Sequence, residues 1–282
     1  MSSSAVAPDP TTVMAQAKQE NFPVASFFLP RRVRGHLLAL YGFARLVDDA
    51  GDEAPGDRLA LLDELEIDLE RVWTGTPHNP LILRLQPTVE ACELPIEPFR
   101  GLIEANRRDQ VIHRYETFEQ LLAYCALSAS TIGELVLGIF GWATPERLAL
   151  SNKICSALQL VEHWQDVAED HAQGRIYLPA EDMKRFEVDE SHLGRSFPTP
   201  ELRALMEFEV ARTRQLLEDG APLASTLPRR YRFAVTAFAA GGRSALNAIR
   251  RAGYDVLSTS ARAGFARRAL DLIDALIRGG AA

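Results

Sequence analysis

The chain has 282 residues, of which 47% are hydrophobic, so it can bury the core of one large or two ordinary domains. Its formal net charge is -7, and neither end carries a basic run, which argues against duplex nucleic acid as a partner. Cys92, Cys125 and Cys155 are widely spaced without a CxxC pair, which excludes a disulfide framework and favours free thiols in the cytoplasm.

The beginning of the chain differs in composition from the rest. Residues 1–20 are predicted to be a flexible tail, because the first ten are rich in Ser, Ala and Pro and lack the basic and apolar regions of a signal peptide. Residues 21–282 are predicted to form one helical domain. Peripheral contact with the inner face of the membrane is compatible with this composition.

Apolar residues recur at helical spacing through most of the chain, and no segment shows the sustained alternation of a half-buried strand. The predicted fold is therefore all-α. Proline and glycine clusters separate the helices, which are predicted over residues 31–53, 57–73, 80–92, 97–107, 118–140, 145–171, 200–217, 228–251 and 260–277.

The most apolar segment covers residues 121–143. It is interrupted by Glu134 and is rich in Ser, Thr, Gly and Cys. These residues favour a buried core helix over a membrane span.

Two predicted helices carry acidic residues at helical spacing. Asp48 and Asp52 are four residues apart and so share one helix face, and Arg45 and Tyr41 continue that stripe. In the second helix the acidic stripe is formed by Glu162, Asp166 and Asp170, with Glu169 beside it.

Such a face needs a counter-ion, because two carboxylates about 6 Å apart repel by roughly 3 kcal/mol at an effective dielectric near 20. Oxygen ligands without His or Cys suit a hard cation such as Mg²⁺, whose shell substrate phosphates often complete. A solvated surface is the alternative, and it is our interpretation of the acidic run over residues 63–70. Apolar neighbours such as Phe43 and Leu160 distinguish the two motifs from that run.

Residues 41–53, together with residues 166–179, resemble the squalene/phytoene synthase family. The resemblance implies an isoprenoid synthase helical bundle with a central apolar cavity, and a prenyl diphosphate substrate. It implies that Mg²⁺ is bound by Asp48, Asp52, Asp166 and Asp170 and that these four aspartates are catalytic, and Glu162 is expected to be a further Mg²⁺ ligand. The expected substrate-binding residues are Arg45, Tyr41, Arg175, Phe22 and Gln159. Arg45 could instead neutralise Asp48 or Asp49, and the rings of Tyr41 and Phe22 could be core packing.

Within the family, residues 20–26, the stretch from His163 to Asp166, and Gly241-Gly242 resemble the hydroxysqualene synthase branch of bacterial hopanoid biosynthesis. That branch ionises presqualene diphosphate and lets water capture the cation, so contact with other hopanoid-pathway enzymes is also expected. Glu162 and Gln165 stand where head-to-head synthases of the family usually carry Asn and Arg.

Two alternatives remain open at this point. One is a head-to-head prenyl transferase that makes presqualene diphosphate, squalene or phytoene. The other is a non-catalytic assembly factor on the same fold, although such a protein should have lost carboxylates that are intact here. His163 is predicted to point away from the acidic face and to have a structural role.

Overall fold

The computed structural model describes residues 29–258. The predicted N-terminal tail, Phe22 and the helix predicted over residues 260–277 lie outside the described residues. Within them the chain is helical without a β-strand, which confirms the all-α prediction; the one β-bridge joins Arg114 and Ile176.

The helices follow one another closely along the chain. The α-helices are α1 Arg31–Asp52, α2 Arg58–Thr74, α3 Pro80–Leu83, α4 Gln86–Cys92, α5 Glu97–Asp109, α6 Phe118–Cys125, α7 Thr131–Phe140, α8 Pro145–Gln165, α9 Val167–Ala172, α10 Ala180–Arg185, α11 Glu190–Leu193, α12 Pro200–Gly220 and α13 Arg229–Arg251. A π-helical segment, Ala126–Ser130, joins α6 to α7, and a 3₁₀ segment, Ala221–Thr226, follows α12.

Side-chain caps fix where several helices begin. Asp57, Thr117, Thr144 and Thr199 each accept a hydrogen bond from a backbone N–H in the first turn of the helix that follows. These bonds satisfy donors that have no partner inside the helix. The short polar residues at these positions therefore explain why the predicted starts lie within one residue of the observed ones.

Three predicted helices are interrupted. The helix predicted over residues 80–92 is two helices, because Pro87 has no N–H and its ring would clash with the preceding turn. The one predicted over 145–171 breaks at Asp166, where φ is -103° and ψ is 14°. The amide of Asp170 still donates to the carbonyl of Asp166 at 2.8 Å, so the acidic stripe crosses the break.

The predicted helix over 118–140 contains the π-helical segment. Helices α10 and α11 were not predicted.

The centre of the molecule is the continuous helical segment Phe118–Phe140, here called the central rod, which packs against α1, α5 and α8. By length and composition it could cross a membrane. In this structure its most apolar side chains, such as Leu121, Cys125 and Leu135, are at most 1% exposed within the hydrophobic core. This is the packing expected of a core helix.

The central rod and α8 run antiparallel. The rings of Tyr124 and His163 lie 6.0 Å apart near one end, and Gly133 faces α8 nearer the other end. A Cβ at Gly133 would lie 2.5 Å from Ser151 Oγ and 2.6 Å from Cys155 Sγ. The close approach therefore requires glycine at this position.

Candidate active site

A cavity of about 400 Å³ lies between α1, α5, the central rod, α8 and α13. Its two ends differ in chemistry. Apolar side chains line the larger part, among them Leu102, Ile132, Val136, Phe140, Leu158, Val235 and Phe238. The other end, here called the carboxylate end, is formed where α1, α5 and α8 finish.

Eight acidic side chains line the carboxylate end: Asp48, Asp49, Asp52, Glu53, Asp109, Glu162, Asp166 and Asp170. Within residues 29–258, the cationic side chains of the lining are Arg45 and Arg175. Nε of Arg45 lies 2.7 Å from Asp49 Oδ1, and its other nitrogens lie 3.7 Å from Asp48 and Glu53. Arg175 Nη2 lies 3.3 Å from Asp52 Oδ1 and so links the loop after α9 to the end of α1. Negative charge exceeds positive charge by a wide margin.

Burial and the neighbouring negative charges raise the pKa of the acids at this end. Burial, and then the negative charge of Asp52, raises the pKa of Asp48 to about 7, although Arg45 opposes the shift. Burial, and then the charge of Asp166, raises the pKa of Asp170 to about 8. Without a bound cation these carboxyl groups hold their protons close to neutral pH, which is typical of a functional site.

The structure brings most of the sequence-predicted site residues together. The five predicted metal ligands, Arg45, Arg175 and Gln159 all line the cavity. Arg45 contacts Asp49 most closely, which fits the alternative that it neutralises that acid. Tyr41, predicted to bind substrate, is fully buried and is not among the lining residues. It lies one turn before Arg45, where both faces of α1 are enclosed.

His163 does not point away from the site, and that prediction was wrong. It lines the cavity, and its ring stacks on Tyr177 with centroids 3.7 Å apart. Burial lowers its pKa to about 3, so it is neutral. The last two turns of α8 are buried on nearly every side. His163 therefore contacts the cavity although it lies beside the acidic stripe and not on it.

Sequence reasoning missed Asp109, the last residue of α5. It accepts hydrogen bonds from Tyr124 Oη at 2.6 Å and from Tyr177 Oη at 3.2 Å. Burial raises its pKa to about 6. The available signal was weak: Asp109 continues the stripe of Leu102 and Asn106 at helical spacing, but it lies beyond the predicted end of that helix.

The sequence profile of the squalene/phytoene synthase family matches residues 15–269. The chain belongs to the squalene/phytoene synthase family. Members of this family are isoprenoid synthases that act on prenyl diphosphates. The structure confirms the all-α isoprenoid synthase fold and the apolar cavity expected from the resemblance.

Squalene/phytoene synthases of more than one activity are similar to this chain. A hydroxysqualene synthase of Zymomonas mobilis is 33% identical over 71% of this chain and 68% of its own. A 15-cis-phytoene synthase of Synechococcus elongatus is 31% identical over 92% of this chain and 89% of its own. The crystal structure of squalene synthase HpnC from Alicyclobacillus acidocaldarius superposes with a TM-score of 0.81 at 43% identity, covering 87% of this chain and 94% of that one.

The donors at the carboxylate end of this squalene/phytoene synthase suit Mg²⁺. Within residues 29–258 no three Asp, Glu, His or Cys side chains already surround a single point as a closed ion cage would. Mg²⁺ does not need one, since it is usually held by one or two carboxylates while phosphate oxygens and water complete its shell. The two acidic banks could each supply such ligands to a bound diphosphate.

Proposed function

We propose that this chain is a hydroxysqualene synthase that uses Mg²⁺ to ionise presqualene diphosphate, after which water captures the cation and yields hydroxysqualene and diphosphate. One observation carries the proposal: eight acidic side chains face two arginines at one end of a cavity that is otherwise largely apolar. A ligand that brings divalent cations and a diphosphate head on a hydrocarbon body matches both ends.

At the carboxylate end, Asp48 and Asp52 form one bank of ligands on α1. Glu162, Asp166 and Asp170 form the other bank across the cavity. Mg²⁺ held between them would supply Lewis-acid stabilisation of the departing diphosphate. Arg175 and Arg45 would donate charge-assisted hydrogen bonds to the same group.

The apolar end would shield the carbocation from stray nucleophiles. One nucleophilic side chain in its wall is Cys155, whose pKa burial raises to about 11, so that the thiol stays neutral. Ser151 lies beside it, with its oxygen 3.8 Å from the sulfur. Neither group is a thiolate or an alkoxide, and in the proposed reaction water is the capturing molecule.

The excess of negative charge at the carboxylate end favours the binding of one diphosphate group over two. A head-to-head coupling would bring two diphosphate groups to an end that already holds eight acids. Glu162 adds one of these acids, and Gln165 places no cation beside Asp166. Both departures from the usual head-to-head pattern reduce the positive charge available to a second leaving group.

A head-to-head prenyl transferase is the second candidate. It is favoured by the similarity to a 15-cis-phytoene synthase, which extends over 92% of this chain. This enzyme would join two prenyl diphosphates at the same cavity.

The test is product analysis with purified protein and Mg²⁺. Labelled presqualene, farnesyl and geranylgeranyl diphosphates are supplied one at a time, and products are identified by mass spectrometry. We expect hydroxysqualene from presqualene diphosphate and no coupling of the other two. Turnover of farnesyl or geranylgeranyl diphosphate without turnover of presqualene diphosphate would overturn the assignment in favour of the transferase.

We also propose that the enzyme works in the cytoplasm at the inner face of the membrane and in contact with other hopanoid-pathway enzymes, because its proposed substrate and product are lipids. Cell fractionation measures this directly. Protein found only in the soluble fraction, with and without the other pathway enzymes, would contradict it.

A further inference from the structure

The cavity extends along the central rod. Its lining residues recur every four positions, as Tyr124, Ser128, Ile132, Val136 and Phe140. Tyr124 belongs to the carboxylate end, because it donates to Asp109 at 2.6 Å. At 1.5 Å per helical residue, Phe140 lies roughly 24 Å further along.

The facing helix gives the same direction. From Asp166, at the break after α8, the lining runs back along α8 through Glu162 and Leu158 to Ser151. Because α8 is antiparallel to the central rod, Ser151 lies towards the Phe140 end. The diphosphate head and Phe140 therefore belong to opposite ends of one cavity.

Phe140 lines that far end. It is the last residue of α7, its side chain is 5% exposed, and the chain turns away at Gly141 with φ of 73°. Its ring stacks on Tyr231 of α13, with centroids 4.2 Å apart and an angle of 17° between the planes. Tyr231 is itself buried and does not line the cavity, so it backs the ring from outside.

We propose that Phe140, held in place by Tyr231, is the stop that limits the length of the prenyl arms this enzyme accepts. A phenyl ring occupies about the space of one five-carbon isoprene unit, so removing it should admit one more unit. The inference rests on the proposed function for its natural substrate, but the stop itself is a property of the cavity.

The first test compares kcat/KM for presqualene diphosphate with that for its homologue in which one arm is one isoprene unit longer. In Phe140→Ala we expect the ratio of longer to natural substrate to rise about tenfold or more, because each added carbon that gains apolar contact strengthens transition-state binding. The matched control is Phe208→Ala, which removes the same ring outside the cavity lining and should leave the ratio unchanged. An unchanged ratio in Phe140→Ala would overturn the proposal.

Two further variants keep the test decisive if Phe140→Ala does not fold. Phe140→Leu retains most of the apolar volume and should shift the ratio in the same direction by less. Val136→Phe places a ring one turn nearer the carboxylate end and should shift preference towards a homologue with shorter arms. Equal preference in both variants and the unmodified enzyme would also overturn the proposal.

A binding readout separates this inference from the proposed function. The unreactive thiodiphosphates of farnesol and geranylgeraniol are added with Mg²⁺, and the rise in Tm is measured for each variant. If Phe140→Ala gains response to the longer probe while presqualene diphosphate is not turned over, the stop stands and the proposed reaction fails. If turnover is seen but neither readout changes, the reaction stands and the stop fails.

Discussion

Two clusters of buried acids in this molecule differ in how their charge is balanced. In the first, here called the Arg212 cluster, Glu209 and Asp182 are 0% and 5% exposed. Arg212 Nη2 lies 2.7 Å from an oxygen of each of them, and its guanidinium lies 3.5 Å from the centroid of the Phe118 ring. Two acids and one cation thus connect α6, α10 and α12.

The carboxylate end has a larger excess of acids, with eight acids and two arginines. The difference shows how a buried acid that supports the fold can be told from one that awaits a ligand. An acid of the fold is placed with a cation from the same chain, because one left without a partner costs stability. A large excess of acids that share no cation within reach of all of them, as at the carboxylate end, indicates a site where the missing charge comes from a bound ion.

The largest expected effect is on catalysis. Asp48→Asn or Asp166→Asn removes one charged ligand from a bank, and we expect turnover of the prenyl diphosphate substrate to fall by about a thousandfold or more, the range of several kcal/mol of charge stabilisation. The helical circular dichroism spectrum should not change. Glu64→Gln, which neutralises an exposed acid of α2, is the matched control and should retain full activity. Full activity in both aspartate variants would contradict the role of the carboxylate end.

Substitutions in the Arg212 cluster should lower the stability of the protein and leave its activity almost unchanged. Arg212→Met leaves Glu209 and Asp182 buried without their cation, and we expect the free energy of unfolding in urea to fall by about 3 kcal/mol. The triple variant that also carries Glu209→Gln and Asp182→Asn should recover part of this loss, since no buried charge remains. Activity per folded molecule should stay close to normal. A loss of stability below about 0.5 kcal/mol, the range of ordinary surface substitutions, would show that the cluster is not a fold-supporting ion pair.

The smallest expected effect is the pH dependence of Mg²⁺ binding. Without a cation, the raised pKa values of Asp48 (about 7) and Asp170 (about 8) mean that the folded state holds protons the unfolded chain has lost. Stability of the metal-free protein should therefore fall as pH rises from about 4 to 8. Since Mg²⁺ competes with these protons, the rise in Tm caused by Mg²⁺ with inorganic diphosphate should grow between pH 6 and pH 8.

Asp170→Asn serves as the control for the pH series, because it removes the group with the higher pKa. In this variant the growth of the Tm shift above pH 7 should be smaller. A shift that is the same at every pH, or is absent in the unmodified protein, would argue against a cation site at the carboxylate end.

The sequence predicted those features that depend on local spacing. Asp48 and Asp52 lie on one helix face because four residues make about one turn, and no distant contact is needed to place them so. The same logic failed at one residue of the run over residues 63–70, which was interpreted as solvated: Asp63, Glu64 and Glu70 are exposed, but Asp68 is not. Asp68 is 7% exposed and accepts hydrogen bonds from Arg71 and from the backbone of His78 and Asn79. Its partners come from the turn after α2, and no periodicity within the run could indicate them.

The acidic stripes and helical periods follow from the sequence alone, because hydrogen bonds between residues four apart and helix geometry are local. Only the tertiary structure decided which stripes face each other, that Asp109 joins them, and that His163 faces the cavity while Tyr41 does not. Those outcomes depend on how helices far apart in the chain pack and cross, which is set by the fit of many side chains at once. The length of the apolar cavity, whose far end Phe140 lines against Tyr231, belongs to the same class.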